Sequence, residues 1–181
     1  RQEIRRPGRS FAAARMLRLC FLKVKNKDKT MNGNYRKCVG ITVYKDHKVL
    51  LCERRDLPGA WQFPQGGIEA GEGLIEAARR ELKEETSIVS VEPADTVTEP
   101  LRYTFPPEIQ KGGKWRYDGQ EMQWVLFRFT GEDSEINLET EEPEFARYAW
   151  EDIDEAVKRI AEFKKNVYIE AVKKFKPVVE G

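Results

Sequence analysis

The chain has 181 residues, of which 40% are hydrophobic and 35% charged, and its formal net charge is +1. This composition is typical of a soluble globular protein with one core, and no apolar run approaches the ~20 residues that a membrane helix needs. The only histidine, His47, cannot supply a Ser-His-Asp triad, an H-E-x-x-H motif or a His-rich zinc site. Any catalysis must therefore depend on carboxylates, backbone groups or a metal ion.

The chain begins with a basic extension, which we assign to residues 1–33. Residues 1–30 contain ten Lys/Arg and two Asp/Glu, a net charge of +8, whereas the remaining residues carry −7. An arginine-rich, acid-poor stretch with Ser and Ala is typical of an organellar transit segment, which favours a mitochondrial or plastid location over a cytoplasmic one. The alternatives are a solvated tail and an arm that docks on a protein partner.

The domain that we assign to residues 34–181 opens with a predicted β-hairpin. The stretches CVGITVY and KVLLCER are β-branched and apolar, and they flank the turn KDHK. AWQFPQ predicts a short strand that ends at Pro64. From Gly73 to Thr86 the apolar residues recur at helical spacing, which predicts a helix.

The second half of the domain predicts further strands and helices. VSVEPADTVTEPLRYTF reads as an extended segment broken by prolines, KGGKWRYDGQ as a loop, and QEMQWVLFRFTG as a strong strand. EINLETEEPEFARYAW predicts a loop that enters a strand. EDIDEAVKRIAEF and NVYIEAVKKF predict one or two amphipathic helices that stop near Pro177. The fold class is therefore α+β or an α/β sandwich.

Three glutamates of the predicted helix lie on one helical face, because residues three and four apart are neighbours: Glu81, Glu84 and Glu85. One interpretation is an exposed charged face balanced by the basic residues of the same helix. However, the preceding loop is rich in glycine, which permits positive φ and close backbone approach. Clustered carboxylates also form a hard oxygen site for Mg²⁺ or Mn²⁺, ions that favour phosphate oxygens. We therefore favour a metal site.

The stretch from Gly66 to Ile88 resembles the Nudix box, G-x5-E-x7-R-E-U-x-E-E-x-G-U, in which U is a bulky apolar residue. Five residues separate Gly66 from Glu72, and seven more lead to Arg80 and the glutamates that follow it. One position departs from the pattern, because Ser87 stands where the box has a glycine. That glycine closes the helix in the left-handed conformation, so the departure concerns the helix exit and not the metal ligands.

The resemblance implies an α/β/α sandwich with a mixed central sheet, and a hydrolase that cleaves a diphosphate linked to another moiety, usually a nucleoside. It implies a Mg²⁺ or Mn²⁺ ion that polarises the phosphoryl group and activates water. The implied metal ligands are one backbone carbonyl and three carboxylates: Gly66, Glu81, Glu84 and Glu85. Glu84 is also implied in catalysis, and Glu72 and Arg80 are expected to form a structural ion pair.

Other stretches resemble one branch of this family, the plant-type dinucleoside tetraphosphate hydrolases and the bacterial RNA pyrophosphohydrolases. They are WQFPQGGIE, LRYTFP, GQEMQW, EINL, PEF and FKKNVY, and the likeness extends from about Tyr35 to Phe175. This resemblance implies that Glu144 binds metal or serves as a general base; the alternative is a solvated glutamate.

The same branch implies four substrate-binding residues. Arg55 would contact phosphate, Lys164 would neutralise phosphate charge, and the rings of Tyr103 and Phe163 would stack on a base. Their alternatives are a surface role for the two basic residues and core packing for the two rings. Gln123 stands where related sequences tend to have lysine, and this loss of charge bears on chain-length preference or RNA affinity.

The leading hypothesis is a metal-dependent pyrophosphohydrolase that cleaves dinucleoside polyphosphates. The first alternative removes pyrophosphate from RNA 5′ ends, and the second is a Nudix-fold subunit of an organellar assembly, docked through the basic extension. The modest negative charge of the domain favours small nucleotides over a broad RNA surface.

Overall fold

A computed structural model of the protein describes residues 33–110 and 116–181. The basic extension, apart from residue 33, and the first half of the predicted KGGKWRYDGQ loop lie outside these ranges. The strands of the described part are β1 (Tyr35–Lys45), β2 (Lys48–Arg54), β3 (Trp61–Gln62), β4 (Gln65–Gly67), β5 (Val91–Thr104), β6 (Gly119–Phe129) and β7 (Phe145–Glu151). Its helices are α1 (Leu74–Thr86), α2 (Pro107–Gln110), α3 (Ile153–Lys158) and α4 (Lys165–Val179), and 3-10 turns lie at Asp133–Glu135 and Glu162–Lys164.

The strands form one mixed sheet. β1 runs parallel to β6, and the other pairs are antiparallel, with the order β3-β2-β1-β6-β5; β7 pairs with β2 and β4 pairs with β1. β1 and β2 pair only beside their turn, at Tyr44↔Val49 and Lys45↔Lys48. Farther from the turn, β1 pairs with β4 and β2 pairs with β3. The strands β1 and β2 are therefore no longer paired at the end of the sheet where the chain leads into α1.

Side-chain alternation along the strands divides the core into two layers. On one face, α1 packs against the hydrophobic residues of the sheet: Val39, Ile41, Val43, Leu50, Cys52, Val125 and Phe127. On the opposite face, α3 and α4 cover the alternate residues: Cys38, Val49, Leu51, Met122, Trp124 and Leu126. The predicted α/β/α sandwich with a mixed central sheet is therefore confirmed.

Two elements differ from the sequence expectation. The segment expected to be broken by prolines is one strand, β5, and its pairing with β6 shifts register between Pro93 and Asp95 and between Val97 and Leu101. Proline is tolerated here because β5 is an edge strand and because the register shifts lie close to the prolines, whose nitrogens cannot donate a hydrogen bond to β6. Helix α4 continues past Pro177 to Val179, since proline in the last turn removes only one hydrogen bond and Val179 is buried.

Helix α1 has well-defined ends. The backbone N–H of Gly73 donates to the Glu76 carboxylate at 3.0 Å, as in a capping box. At the other end Ser87 adopts the left-handed conformation with φ 65°, and its N–H donates to the Lys83 carbonyl at 2.9 Å. Serine therefore takes the conformation that the box glycine would take.

Candidate active site

Arg80 on α1 joins the helix to the glycine-rich loop. Its Nε and Nη2 donate to the two carboxylate oxygens of Glu72, each at 2.8 Å, and Nη2 also donates to the Gly67 carbonyl at 2.8 Å. The hydrogen bonds from Arg80 lower the pKa of the Glu72 carboxyl to about 2. Nη1 donates to Glu81 at 2.8 Å and to Glu84 at 3.3 Å. Arg80 therefore anchors the loop and also contacts two of the predicted metal ligands.

The loop approaches the helix most closely at Gly66. A Cβ added there would lie 1.8 Å from Cδ of Glu81, so no side chain fits beside this carboxylate. The glycine of the box is thus explained by close approach, and its backbone lies directly against Glu81.

Glu85 and Glu144 form a second acidic group. Glu85 is only 5% exposed, and its carboxylate accepts one hydrogen bond from the backbone N–H of Gln65 at 3.0 Å. Burial raises the pKa of Glu85 well above its ordinary value, and the charges of Glu144 and Glu81 raise it further. Glu144 is exposed and directly precedes β7, where its carbonyl accepts a hydrogen bond from the N–H of Arg55 at 2.8 Å.

These carboxylates fit a hard divalent cation in their chemistry. Glu85 is buried near two like charges, and a bound cation would relieve that repulsion. Within residues 33–110 and 116–181, however, no three Asp, Glu, His or Cys side chains are already grouped to hold a metal. Glu81 and Glu84 contact Arg80 instead. The side chain of Glu84 is 58% exposed, so a ligand can reach its carboxylate.

The predicted base-stacking residues lie together on the opposite face of the sheet. The ring centroids of Tyr103 and Phe163 are 5.7 Å apart, but Tyr103 is buried and its hydroxyl donates to the Gln120 side chain. Burial, and after it the charge of Cys38, raise the pKa of the Tyr103 hydroxyl. Lys164, adjacent to Phe163, is 7% exposed and donates to the Gln62 side chain at 2.8 Å. Burial, followed by the charge of Arg54, lowers the pKa of Lys164 to about 7.

Arg54, which ends β2, and Arg55, which follows it, differ in their surroundings. Arg55 donates to the Phe145 carbonyl at 3.3 Å and pairs with Glu139, so its role as a phosphate ligand stays a prediction. Arg54 forms a bidentate ion pair with Asp56, and its charge acts on Glu85 and on other groups of the site. The sequence analysis missed Arg54, and the only signal was an aspartate two residues later.

Gln65 connects the acidic group to the aromatic residues. Its backbone binds Glu85, while its side chain donates to Gln120 at 3.2 Å and accepts from the Tyr168 hydroxyl at 3.1 Å. Sequence reasoning also missed this network, because the partner residues lie 55 and 103 positions away in the chain.

A cleft of about 330 Å³ opens on the loop side of Glu81. It is lined by Tyr35, Arg36, Lys37, Gly67, Ile68, Glu69, Glu81 and Tyr117. Cations and aromatic rings thus lie beside one of the predicted metal ligands.

Among the described helices, none is both long and apolar enough to span a membrane.

Comparison with known proteins gives consistent matches. The NUDIX domain model matches residues 34–171. The chain is 41% identical over 151 residues to Nudix hydrolase 26, chloroplastic, of Arabidopsis thaliana, covering 78% of this chain and 69% of that protein. It is 43% identical over 154 residues to the RNA pyrophosphohydrolase of Erythrobacter litoralis, covering 80% and 93%.

Solved structures share the fold at lower identity. A binary complex of the C. elegans Ap4A hydrolase aligns with a TM-score of 0.60 at 22% identity, covering 81% of this chain and 98% of that one. The E. coli dihydroneopterin triphosphate pyrophosphohydrolase aligns with a TM-score of 0.59, also at 22% identity, covering 76% and 96%. At this identity the likeness concerns the fold alone.

Proposed function

Because this chain belongs to the Nudix family and is a pyrophosphohydrolase, we propose that its substrates are dinucleoside polyphosphates of the diadenosine tetraphosphate type, hydrolysed with Mg²⁺ or Mn²⁺. The observation that carries this proposal is the buried Glu85, which is held by the backbone N–H of Gln65 and whose pKa is raised by burial and by the charges of Glu144 and Glu81. Through Gln65 the Glu85 carboxylate is joined to the buried Tyr168, and Phe163, which packs against Tyr103, is the partly exposed ring that we propose to stack on a base.

In this proposal the carboxylates of the box bind the cation, namely Glu81, Glu84 and Glu85, with the Gly66 carbonyl beside them. The bound cation supplies charge stabilisation for the phosphoryl oxygens and lowers the pKa of water. Glu144 is exposed at the rim and can accept the proton of the attacking water, or join the metal ligands. Glu72 acts only through Arg80, by fixing the loop.

Triphosphorylated RNA is the second candidate substrate. It is favoured by the identity of 43% to the RNA pyrophosphohydrolase of Erythrobacter litoralis and of 45% to that of Dinoroseobacter shibae. Both substrates present a nucleoside polyphosphate, so the same acidic group can serve both. Gln123 stands where related sequences tend to have lysine, and its side chain donates to the Thr98 carbonyl at 2.5 Å. The site therefore has less positive charge at this position for a longer anion.

A panel of diadenosine tetraphosphate, triphosphorylated RNA, ADP-ribose and NADH, each with Mg²⁺ or Mn²⁺, tests the proposal. We expect the highest kcat/KM with diadenosine tetraphosphate. A higher kcat/KM with triphosphorylated RNA would replace it with the second candidate, and preference for ADP-ribose or NADH would refute both.

The proposed location is an organelle, supported by the basic character of residues 1–30 and by the chloroplastic Arabidopsis relatives. Fusion of residues 1–33 to a fluorescent protein tests this: we expect import into a mitochondrion or plastid. Cytoplasmic fluorescence would refute targeting and leave a solvated tail or an arm that docks on a protein partner.

A further inference from the structure

Arg54, the last residue of β2, has one edge of its guanidinium occupied. Its Nε and Nη2 donate to the two carboxylate oxygens of Asp56 at 2.8 and 2.7 Å. Nη1 has no hydrogen-bond partner among the described residues. Because a guanidinium is planar and offers its donors in a fixed fork, Asp56 fixes the plane while leaving the second edge available.

The strand geometry brings Arg54 next to the acidic group. The β2–β7 register shifts between Glu53 and Arg54, and such a bulge re-aims the side chains beside it. Arg54 then pairs with Phe145, and the next backbone bond joins Arg55 to the carbonyl of Glu144. Arg54 therefore lies beside the position where Glu144 enters the site.

The charge of Arg54 reaches both halves of the site. The positive charge of Arg54 favours ionised Glu85, and so partly opposes the rise in the pKa of Glu85 that burial and Glu144 cause. The same charge contributes to the lowered pKa of Lys164, in the turn before α4. The Arg54 side chain is 35% exposed, so it is accessible to a ligand as well as close to the carboxylates.

We propose that Arg54 binds a phosphate oxygen of the substrate through its second edge, and that Asp56 is its positioning residue. This inference rests on the proposed function to the extent that the ligand is a polyphosphate. A substrate with several phosphates brings more negative charge than the cation removes, and a guanidinium beside Glu85 and Glu144 offsets that excess. Arg55 has its Nε and Nη2 engaged as well, by the Phe145 carbonyl and Glu139. Arg54 is distinguished from it by its charge acting on Glu85 and by a single carboxylate that fixes its plane.

A purely structural pair would behave differently. Arg54 and Asp56 are two residues apart at a half-exposed position, and pairs of this kind contribute little to stability. If the pair only stiffened the turn after β2, its removal would lower the melting temperature and leave phosphate binding unchanged.

The test compares Arg54→Ala, Arg54→Lys and Asp56→Asn with the control Arg128→Ala, which breaks the exposed pair of Arg128 with Glu92. The probe is ADP, whose binding to the metal-free protein is measured by calorimetry. Affinity for Mn²⁺ alone is measured by electron paramagnetic resonance, and melting temperature is recorded for every variant. These readouts do not depend on turnover.

For Arg54→Ala we expect ADP binding to weaken about tenfold or more, as for a lost charge-assisted hydrogen bond, with little change in melting temperature. Mn²⁺ affinity should stay equal or increase, because a positive charge near the carboxylates is removed. Arg54→Lys should restore part of the ADP affinity, and Asp56→Asn should weaken it less than Arg54→Ala does.

Unchanged ADP binding in Arg54→Ala, or an equal loss in Arg128→Ala, would overturn the inference. So would a joint fall of ADP affinity, Mn²⁺ affinity and melting temperature, which indicates a structural role. If the wild-type protein hydrolyses none of the panel substrates while ADP binding still depends on Arg54, the proposed function fails and the phosphate contact stands.

Discussion

The two acidic groups of the site differ in how their charge is balanced. Glu72, Glu81 and Glu84 surround Arg80, which makes a hydrogen bond to each of them. Glu85 is more deeply buried, yet it receives one backbone hydrogen bond and its pKa is raised by burial and by the charge of Glu144. Each carboxylate of the first group is hydrogen-bonded to the Arg80 guanidinium, whereas Glu85 has only a backbone donor.

This difference separates three carboxylates that Arg80 contacts from Glu85, which forms no salt bridge within the described residues. A buried carboxylate without a cationic partner lowers stability, and proteins keep such groups mainly where function requires them. Helix α1 therefore carries Arg80, which forms an ion pair with Glu72 of the preceding loop, and, about one turn farther on, the buried Glu85. Removal of the Glu85 charge should therefore relieve repulsion in the metal-free protein, whereas removal of the Glu84 charge should not, although both changes should lower activity.

The largest expected effect is that of Glu85→Gln. Glutamine keeps the acceptor for the Gln65 N–H but removes the buried charge. We expect kcat to fall about a hundredfold or more, as for the loss of roughly 3 kcal/mol of catalytic stabilisation. The melting temperature of the metal-free protein should stay equal or rise, because the repulsion with Glu144 is gone. Steady-state kinetics and calorimetry measure the two quantities.

Glu84→Gln should also lower kcat strongly, without a gain in stability, since Glu84 is exposed and contacts Arg80. The matched control is Glu170→Gln on α4, whose carboxylate pairs with Lys173 at the surface. Near-normal turnover in both Glu84→Gln and Glu85→Gln would show that this helix face is not the active site.

The next effect concerns Lys164, a buried cation near the unbalanced group. The pKa of Lys164 is about 7 in the folded protein, against an ordinary value of 10.5, because of burial and then Arg54, with Glu85 opposing. Between about pH 7 and 10 the unfolded chain binds a proton that the folded chain does not, so stability rises with pH in this window. Below about pH 7 both states are protonated and the full cost, on the order of a few kcal/mol, is present.

Lys164→Met removes this dependence. Denaturant unfolding at pH 6, 8 and 10 should show the variant's stability relative to wild type decreasing as pH rises. Lys165→Met is the control, because Lys165 is half-buried and pairs with Glu162. A wild-type minus variant difference that is independent of pH would mean that Lys164 keeps its ordinary pKa, and that the cation is not buried as the structure shows.

Much of the fold follows from the sequence because its signals are local. The hairpin of β1 and β2, the α1 helix and the β6 strand have apolar periodicities that few other conformations satisfy. The glutamates of α1 could be grouped for the same reason. Spacing alone also describes a solvated helix face, so the metal site is favoured by the glycine-rich loop before the helix and by the chemistry of clustered carboxylates, and the family pattern adds the individual ligands.

The remaining features depend on tertiary contacts that no local pattern encodes. Burial of Lys164 requires the 3-10 turn before α4 to pack against Gln62, 102 residues earlier. The assignment of Arg54 depends on the β2–β7 bulge, which is set by pairing with a distant strand. The course of β5 through Pro93 follows from its edge position, which requires knowledge of the whole sheet.

Gly66 tests the close approach between the loop and Glu81. Gly66→Ala brings a Cβ within 1.8 Å of the Glu81 carboxylate, which Arg80 restrains, so Glu81 must shift. We expect kcat to fall about tenfold, as for misplacement of one charged group. Gly71→Ala is the matched control, because Gly71 has φ +86° and open space around its Cβ position. It should lower stability by about 1 kcal/mol through backbone strain and leave kcat unchanged. Equal activities in the two variants would remove Glu81 from the catalytic group.

The smallest expected effect is that of Ser87→Gly, which restores the glycine of the box at the end of α1. Ser87 has φ 65°, where a Cβ is unfavourable by about 1 kcal/mol, so glycine should gain stability. The serine hydroxyl, however, donates to the Asn137 carbonyl at 3.0 Å, and losing that exposed bond costs about 0.5–1 kcal/mol. The two contributions nearly cancel, so the melting temperature should change by less than about 3 °C. Ser87→Ala separates them, because alanine keeps the strain and loses the hydrogen bond, and it should be the least stable of the three proteins. If Ser87→Ala equals wild type, the bond to Asn137 contributes nothing, and Ser87→Gly should then be clearly stabilising.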